Sequence, residues 1–194
     1  MKNLTPQLIH HLRYNPKKLL ANKPDIARAA VAIILRETSS VTEMFMIRRS
    51  KREGDPWSGH MGFPGGRQEP QDHSNFSCVL RETYEEIGLE LENFGSVIGE
   101  LSDVNTGWRS DRPEIYVTPY VFLVAELPTL ILNEEVDEVV WVPLYLLMDS
   151  LNRENFEWEW NGQILTSDVY DYEGRQIWGL SLMMIDELVS ALDN

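Results

Sequence analysis

The chain has 194 residues, enough for one globular domain with a complete hydrophobic core. Acidic residues outnumber basic ones by 31 to 17, and the formal net charge of -14 excludes a general electrostatic attraction to nucleic acid or to an anionic membrane surface. With one cysteine, no signal-peptide pattern and no apolar run long enough to cross a bilayer, the sequence predicts a cytoplasmic protein without disulfides.

The chain opens with a predicted helix and a predicted pair of strands. Thr5 is a suitable cap and Pro6 a suitable first residue for a helix that we expect over about residues 5–20. The apolar runs at 27–37 and 42–50 are joined by a short polar turn, which is typical of paired strands.

A loop rich in glycine leads into a second predicted helix. The loop ends in the sequence FPGG at residues 63–66. From about residue 73 to 87, apolar side chains recur at spacings of three and four, which predicts an amphipathic helix, and Gly88 is suited to end it. Cys78 lies among these apolar side chains, so we expect a buried structural thiol.

The second half of the chain mixes strand and helix patterns. Two strands, an acidic loop entering a third strand, a short helix, a hairpin and a final amphipathic helix are predicted, in this order, at 94–102, 115–127, 133–144, 144–151, 156–180 and 181–193. Because no repeat or long linker divides the sequence, we expect one domain over residues 1–194. The mixture indicates an α/β or α+β fold in which helices cover a mixed sheet.

Three glutamates repeat at helical spacing near the end of the second helix. Glu82, Glu85 and Glu86 stand at i, i+3 and i+4, so their side chains share one face and repel one another. The helix macrodipole also disfavours negative charge in the last turns. One interpretation is a solvated acidic face. The other is that a divalent cation such as Mg²⁺, which prefers carboxylate oxygens, offsets the repulsion.

Residues 66–89 around these glutamates resemble the Nudix box, the loop–helix–loop signature of the Nudix hydrolases. The residues that match its core are Arg81, Glu82, Thr83, Glu85, Glu86, Gly88 and Leu89. Upstream, the family's acid usually lies eight residues before the arginine, where this sequence has His73, while Asp72 lies nine residues before it. A one-residue insertion would make Asp72 the acid of the box.

Two flanking segments, at 48–66 and 177–188, look like the coenzyme A pyrophosphatase-like branch of the family. That branch typically carries a histidine two residues before the loop glycine, here Gly59, where this sequence has Trp57. The resemblance implies the Nudix fold of the α/β class, with a mixed β-sheet sandwiched between helices (α/β/α). The substrate stays open between a coenzyme A derivative and a nucleotide sugar such as ADP-ribose.

The resemblance also implies an activity. Nudix hydrolases cleave the pyrophosphate bond of a nucleoside diphosphate linked to another moiety, with Mg²⁺ as cofactor and Mn²⁺ as a substitute. The implied partners are a small nucleotide substrate and a second copy of the chain in a homodimer, rather than nucleic acid or a membrane. The alternative is a non-catalytic Nudix-fold module that binds or senses a nucleotide. Such modules usually lose box glutamates, and this chain retains all three.

The resemblance assigns roles to the charged residues of the box. Glu82 and Glu86 would be the main metal ligands, with Glu85 completing the metal site. Arg81 would hold a glutamate in position rather than touch the substrate.

A general base must take a proton from the attacking water. It would be a helix glutamate, with Glu85 among the catalytic candidates, or Glu135 in the later acidic loop. Glu134 and Glu138 are near equals of Glu135 by sequence, and this acidic run can also be read as a solvated turn.

Substrate contacts are predicted at the end of the second strand, in the glycine turn and in two loops. The candidates are Arg48, Arg49, Gly65, Gly66, Trp57 and Arg109. Arginine suits phosphate because its planar fork forms paired hydrogen bonds, and Lys51 and Arg52 extend the basic cluster. Scattered surface charge is the alternative for the arginines. Trp57, like Trp108, suits stacking on a base, with packing of a loop or a dimer contact as the alternative.

Overall fold

The computed structural model of the chain describes residues 5–14, 16–21, 23, 25–53, 58–107, 113–160 and 162–192. Its central element is a mixed sheet of eight strands. These strands are β1 (Ala27–Glu37), β2 (Thr42–Arg49), β3 (Met61–Gly62), β4 (Gly65–Arg67), β5 (Gly95–Glu100), β6 (Val104–Asn105), β7 (Ile115–Val124) and β8 (Val136–Pro143). A second sheet contains β9 (Arg153–Trp160), β10 (Gln163–Tyr172) and β11 (Arg175–Trp178).

Three helices have ten residues or more, and the others are short. The helices are α1 (Thr5–Tyr14), α2 (Asn75–Ile87), α3 (Leu91–Phe94), α4 (Leu144–Met148) and α5 (Gly179–Ser190), and a 3₁₀ turn lies at Ser150–Asn152. Within the part of the chain that the structure describes, none of them has the length and apolar character needed to cross a membrane.

The central sheet has the order β3-β2-β1-β7-β5, with β8 on β2, β4 on β1 and β6 on β7. Strands β1 and β7 pair in parallel, and the other pairs are antiparallel. Because β4 pairs with the first half of β1, the glycine turn lies beside the middle of the sheet, with Gly65 opposite Val31 and Gly66 opposite Ala30.

Two hydrophobic clusters lie on the two faces of the sheet. Successive residues of a strand point to opposite faces, and in β2 the buried Met44 and Met46 join one cluster while Phe45 and Ile47 join the other. The first cluster includes side chains of α1, α4 and α5, and the second includes side chains of α2 and α3. Helices therefore cover both faces, and the predicted α/β fold with a sandwiched mixed sheet is confirmed.

Some predicted boundaries were wrong. The first helix ends at Tyr14 rather than near residue 20. Proline disfavours helical backbone in the residue before it and has no N–H to donate, and Pro16 follows closely. Beyond it, the backbone turns to the central sheet, where the N–H of Leu20 donates to Oδ2 of Asp103 at 2.8 Å. The segment at 156–180, predicted to be a hairpin, also contributes to three strands rather than two.

A buried polar cluster holds this N-terminal segment against the sheet. The side chain of Asp103 is fully buried, pairs with Arg28 at 3.1 Å and accepts a hydrogen bond from the Thr118 hydroxyl at 2.6 Å. Removing one partner of a buried pair leaves the other charge without compensation.

We expect Asp103→Ala to lower the free energy of unfolding by about 3 kcal/mol, because Arg28, Thr118 and the Leu20 N–H all lose their acceptor. Urea unfolding measures this change. The matched control is Glu100→Ala, since the Lys17–Glu100 pair is 3.6 Å long and partly exposed, and its removal should cost less than about 1 kcal/mol. Equal losses in the two variants would contradict a structural role for the Asp103 cluster.

Candidate functional site

Helix α2 carries the three glutamates, and local sequence sets both of its ends. Ser74 caps the start, because its side chain accepts from the Ser77 N–H while the Ser77 hydroxyl accepts from the Ser74 N–H. The helix therefore begins at Asn75, two residues later than predicted. Gly88 ends it in the left-handed conformation, with φ 69°, and its N–H donates to the carbonyl of Tyr84.

Glu86 is buried under the glycine turn. The whole residue is 2% exposed, and Oε2 of its carboxylate accepts a hydrogen bond from the Gly65 N–H at 2.9 Å. Burial raises the pKa of Glu86 to about 7, opposed by the Gly65 hydrogen bond and by the positive charge of Arg49. The site thus contains a carboxylate whose charge is poorly compensated by the protein alone.

Glu82 approaches the same turn from one helical turn earlier. A Cβ at Gly66 would lie 2.5 Å from Cδ of Glu82, so only glycine leaves room for this carboxylate. Burial also raises the pKa of Glu82, while hydrogen bonding to Arg81 lowers it. Glu82 and Glu86 therefore converge on the Gly65–Gly66 turn, in two environments that disfavour negative charge.

Arg81 donates hydrogen bonds to oxygen atoms of four residues around the helix. Its Nε and Nη2 donate to the two carboxylate oxygens of Asp72 at 3.0 and 2.8 Å, and its Nη1 donates to Glu82 at 2.9 Å and Glu85 at 3.0 Å. The carbonyl of Arg67 accepts a further bond at 3.1 Å. These contacts fit the predicted positioning role of Arg81, which stays a prediction.

The same contacts bear on the ambiguous acidic position of the box. The side chain of Asp72 is 3% exposed and faces Arg81, whose hydrogen bonds hold the pKa of Asp72 below its ordinary value. His73, in contrast, is exposed. The structure therefore places Asp72, and not His73, against the arginine of the box.

A later loop docks on the C-terminal end of α2. The N–H groups of Ile131 and Asn133 donate to the carbonyls of Ile87 and Glu86 at 3.0 and 2.9 Å. The Asn133 side chain then accepts from the Glu135 N–H at 2.8 Å. Asn133 was missed by the sequence reasoning, although asparagine side chains in turns commonly accept a hydrogen bond from the backbone N–H two residues on. It links Glu135 to the helix that carries Glu86.

The three acidic candidates of this loop have different surroundings. The negative charge of Glu135 contributes to the raised pKa values of Glu82 and Glu86, so its carboxylate lies near theirs. Glu138 instead binds Arg175 through two hydrogen bonds of 2.9 Å, which lower its pKa. Glu134 has a side chain that is 90% exposed. Of the three, Glu135 has the surroundings expected of a general base, and this role stays a prediction.

The two predicted arginines of β2 are separated by the sheet. The charge of Arg49 acts on Glu86, whereas Arg48 pairs with Asp137 at 2.6 Å and Glu138 at 3.0 Å. A β-bulge lies between Arg48 and Arg49. The structure therefore brings Arg49 to the glutamates and does not bring Arg48 there, because consecutive strand residues face opposite sides.

Cys78 lies beneath the glycine turn. It is buried, as predicted, and its thiol donates to the carbonyl of Gly66 at 3.5 Å. Burial raises the pKa of Cys78 to about 12, so the thiol stays protonated and packs rather than reacts. Trp57 and Arg109, which were predicted to contact substrate, lie outside the described residues, as does Trp108.

The donor chemistry of the site fits a hard divalent cation. Carboxylate oxygens are the ligands that Mg²⁺ prefers, and the raised pKa values show that both Glu82 and Glu86 would gain from a nearby positive charge. Among the described residues, no three Asp, Glu, His or Cys side chains are already arranged around one point as metal ligands. The Arg81 guanidinium lies between Glu82 and Glu85 instead.

The chain is similar to several known proteins. The chain is 36% identical over 110 residues to an uncharacterised protein of Schizosaccharomyces pombe, a match that covers 55% of this chain and 33% of that protein, so the chain spans about a third of its length. It is 30% identical over 164 residues to the mitochondrial coenzyme A diphosphatase NUDT8 of Mus musculus, covering 82% of this chain and 75% of that protein.

The fold has a solved counterpart in a MutT/nudix family protein from Enterococcus faecalis. The TM-score is 0.57 at 16% identity, covering 98% of this chain and 73% of that one, which supports the fold alone. The model of the NUDIX domain matches residues 26–161, the greater part of the sequence and all of the glutamate site. The predicted resemblance is confirmed, and the chain belongs to the Nudix hydrolase family.

Proposed function

We propose that this chain hydrolyses the pyrophosphate bond of a nucleoside diphosphate linked to another moiety, with Mg²⁺ as its cofactor. The observation that carries the proposal is the convergence of Glu82 and Glu86 on the Gly65–Gly66 turn, with Glu86 buried. Two such carboxylates cost stability unless a cation accompanies them. The non-catalytic alternative offers no comparable reason to retain all three box glutamates.

The residues of the site would have different roles in the reaction. Glu82 and Glu86 would hold the cation, and Arg81 keeps Glu82 and Glu85 in place through hydrogen bonds of 2.9 and 3.0 Å. A divalent cation bound there supplies neutralisation of phosphate charge and activation of water. Glu135, fixed to α2 through Asn133, would take the proton of the attacking water.

Positive charge for the substrate comes from the protein as well. Arg49 lies close enough to Glu86 to lower its pKa, on the same face of the sheet. Its planar guanidinium suits a phosphate oxygen pair. The net charge of -14 makes such local cations necessary, since the surrounding field repels an anionic substrate.

A coenzyme A derivative is the first substrate to test. The mouse relative that is 30% identical over 82% of this chain is named a coenzyme A diphosphatase. ADP-ribose comes second, because the NUDIX domain of Shewanella oneidensis NrtR, solved with ADP ribose, is 22% identical at a TM-score of 0.50.

A substrate screen tests the proposal. Coenzyme A, ADP-ribose, other nucleotide sugars, dinucleoside polyphosphates and nucleoside triphosphates are incubated with the protein and Mg²⁺ or Mn²⁺, and the products are identified by mass spectrometry. We expect a coenzyme A derivative or ADP-ribose to yield two phosphate-ended products, and EDTA to abolish the reaction. Nucleotide binding without hydrolysis under both metals would instead favour a sensing module.

A further inference from the structure

Arg52 lies just beyond β2 and contacts the acidic loop that carries the candidate base. Its Nη1 is 3.2 Å from Oε1 of Glu135, and its Nη2 is 3.3 Å from Oε1 of Glu134. Its backbone N–H donates to the Ser58 hydroxyl at 2.7 Å, which fixes the start of the side chain. The Arg52 guanidinium therefore covers the carboxylate of Glu135, while the Arg52 backbone is held separately by Ser58.

The ion pairs of Arg52 are the weakly held ones at this site. Its side chain is 39% exposed, and the two partner side chains are 41% and 90% exposed. Exposed ion pairs contribute little to stability, because water screens the charges and two long side chains lose freedom. Arg81, by comparison, is 17% exposed and bound to Asp72, Glu82 and Glu85. An incoming anion can therefore take Arg52 from its partners at much lower cost than Arg81.

Glu135 is tied to the rest of the site by its backbone. Its N–H donates to Asn133, and its carbonyl accepts from the Ser50 N–H at 2.8 Å. Loss of the Arg52 contact would leave the Glu135 backbone in place, so the carboxylate would stay beside Glu82 and Glu86. Arg52 can move without moving the base.

We propose that Arg52 is a substrate-binding residue that exchanges its ion pair with Glu135 for the pyrophosphate group of a bound nucleoside diphosphate. This inference rests on the proposed function. A guanidinium binds phosphate through paired, charge-assisted hydrogen bonds, which are stronger than its exposed contacts to two carboxylates. Because Arg52 leaves Glu135 only when substrate is bound, substrate binding also uncovers the carboxylate of the candidate base.

Binding of Mg·ADP, measured by titration calorimetry on the whole chain, tests the exchange. We expect Arg52→Gln to weaken binding by about 10- to 100-fold, the range for loss of a charge-assisted contact. Glu135→Gln should tighten binding about threefold or more, because Arg52 no longer has to leave a partner. In an Arg52→Gln background, Glu135→Gln should have no such effect, and this coupling is specific to the exchange.

Arg36→Gln is the matched control. Arg36 pairs with Glu43 at 2.7 Å at the other end of β2 and has a side chain that is 34% exposed, so it matches Arg52 in exposure and in the charge removed. Its affinity for Mg·ADP should stay within twofold of wild type.

Three binding results overturn the exchange. They are wild-type-like binding by Arg52→Gln, an equal effect of Glu135→Gln with and without Arg52, and absence of Mg·ADP binding by wild type. Hydrolysis with an unchanged KM in Arg52→Gln would also overturn it while leaving the proposed function standing. Failure of the wild type to hydrolyse any substrate would remove the proposed function, and the binding cycle would still decide whether Arg52 takes the phosphate.

Discussion

Glu86→Gln is expected to abolish Mg²⁺-dependent hydrolysis and, at the same time, to stabilise the metal-free protein above neutral pH. Loss of activity by about 100-fold or more follows if the Glu86 carboxylate holds the cation, because the neutral amide is a poor ligand for Mg²⁺. The gain in stability follows from the same burial that makes Glu86 suitable for a cation. The two effects together distinguish a functional carboxylate from a structural one.

The sign of the stability change depends on pH. Burial raises the pKa of Glu86 from an ordinary value of 4.5 to about 7, so the folded state binds a proton that the unfolded state releases between these values. The free energy of unfolding therefore falls as pH rises through this window, by up to about 3 kcal/mol at about 1.4 kcal/mol per pKa unit. Glutamine does not ionise, so the variant should be about 2 kcal/mol more stable at pH 8 and no more stable near pH 4.

Thermal unfolding with EDTA and with Mg²⁺ measures both parts. Mg²⁺ should raise the Tm of the wild type, because it binds the folded state, and should have little effect on Glu86→Gln. Glu92→Gln, an exposed glutamate on α3, is the matched control and should behave like the wild type in all conditions. Activity of Glu86→Gln above a tenth of the wild-type rate would contradict the metal assignment.

The local parts of the site could be predicted from the sequence. The spacing of Glu82, Glu85 and Glu86 depends only on helical periodicity, and Gly88 ends the helix through its own backbone preference. The capping by Ser74 was obscured because the polar residues before the helix offer several possible caps.

The long-range parts could not be predicted in the same way. The opposite orientation of Arg48 and Arg49 follows from strand alternation, but which of the two faces the glutamates depends on which face of the sheet α2 covers. The contact of Asp72 with Arg81 depends on the path of an irregular loop, and one extra residue there removes the usual spacing. The parallel pairing of β1 with β7 joins segments far apart in sequence, and no local pattern specifies it.

The glycine turn allows the geometry of the site to be separated from its stability. A Cβ at Gly65 would lie 2.2 Å from the carbonyl oxygen of Ala30 and 2.6 Å from Cα of Val31, and Gly65 has φ of +147°. Both neighbours are backbone atoms of the central strand β1 and cannot move aside. We therefore expect Gly65→Ala to lower the free energy of unfolding by about 3 kcal/mol through strain and overpacking.

The same substitution at the next residue, Gly66→Ala, should have a different effect. The three atoms nearest to its Cβ would all belong to the carboxylate of Glu82, at 2.5–2.6 Å, and a flexible side chain can rotate away. We expect a change in unfolding free energy below about 1 kcal/mol but a loss of hydrolysis of about 100-fold, since Glu82 can no longer reach the turn.

The two alanine variants are compared by urea unfolding, Mg²⁺ titration and hydrolysis of the substrate found in the screen. Gly66→Ala should unfold like the wild type, bind Mg²⁺ more weakly and lose activity. The main effect of Gly65→Ala should instead be a lower free energy of unfolding. If Gly66→Ala kept full activity, the position of Glu82 against the turn would be irrelevant to catalysis. Because the substitutions are chemically identical and adjacent, a difference between them reports what each glycine touches: the sheet backbone at Gly65, and a metal-ligand candidate at Gly66.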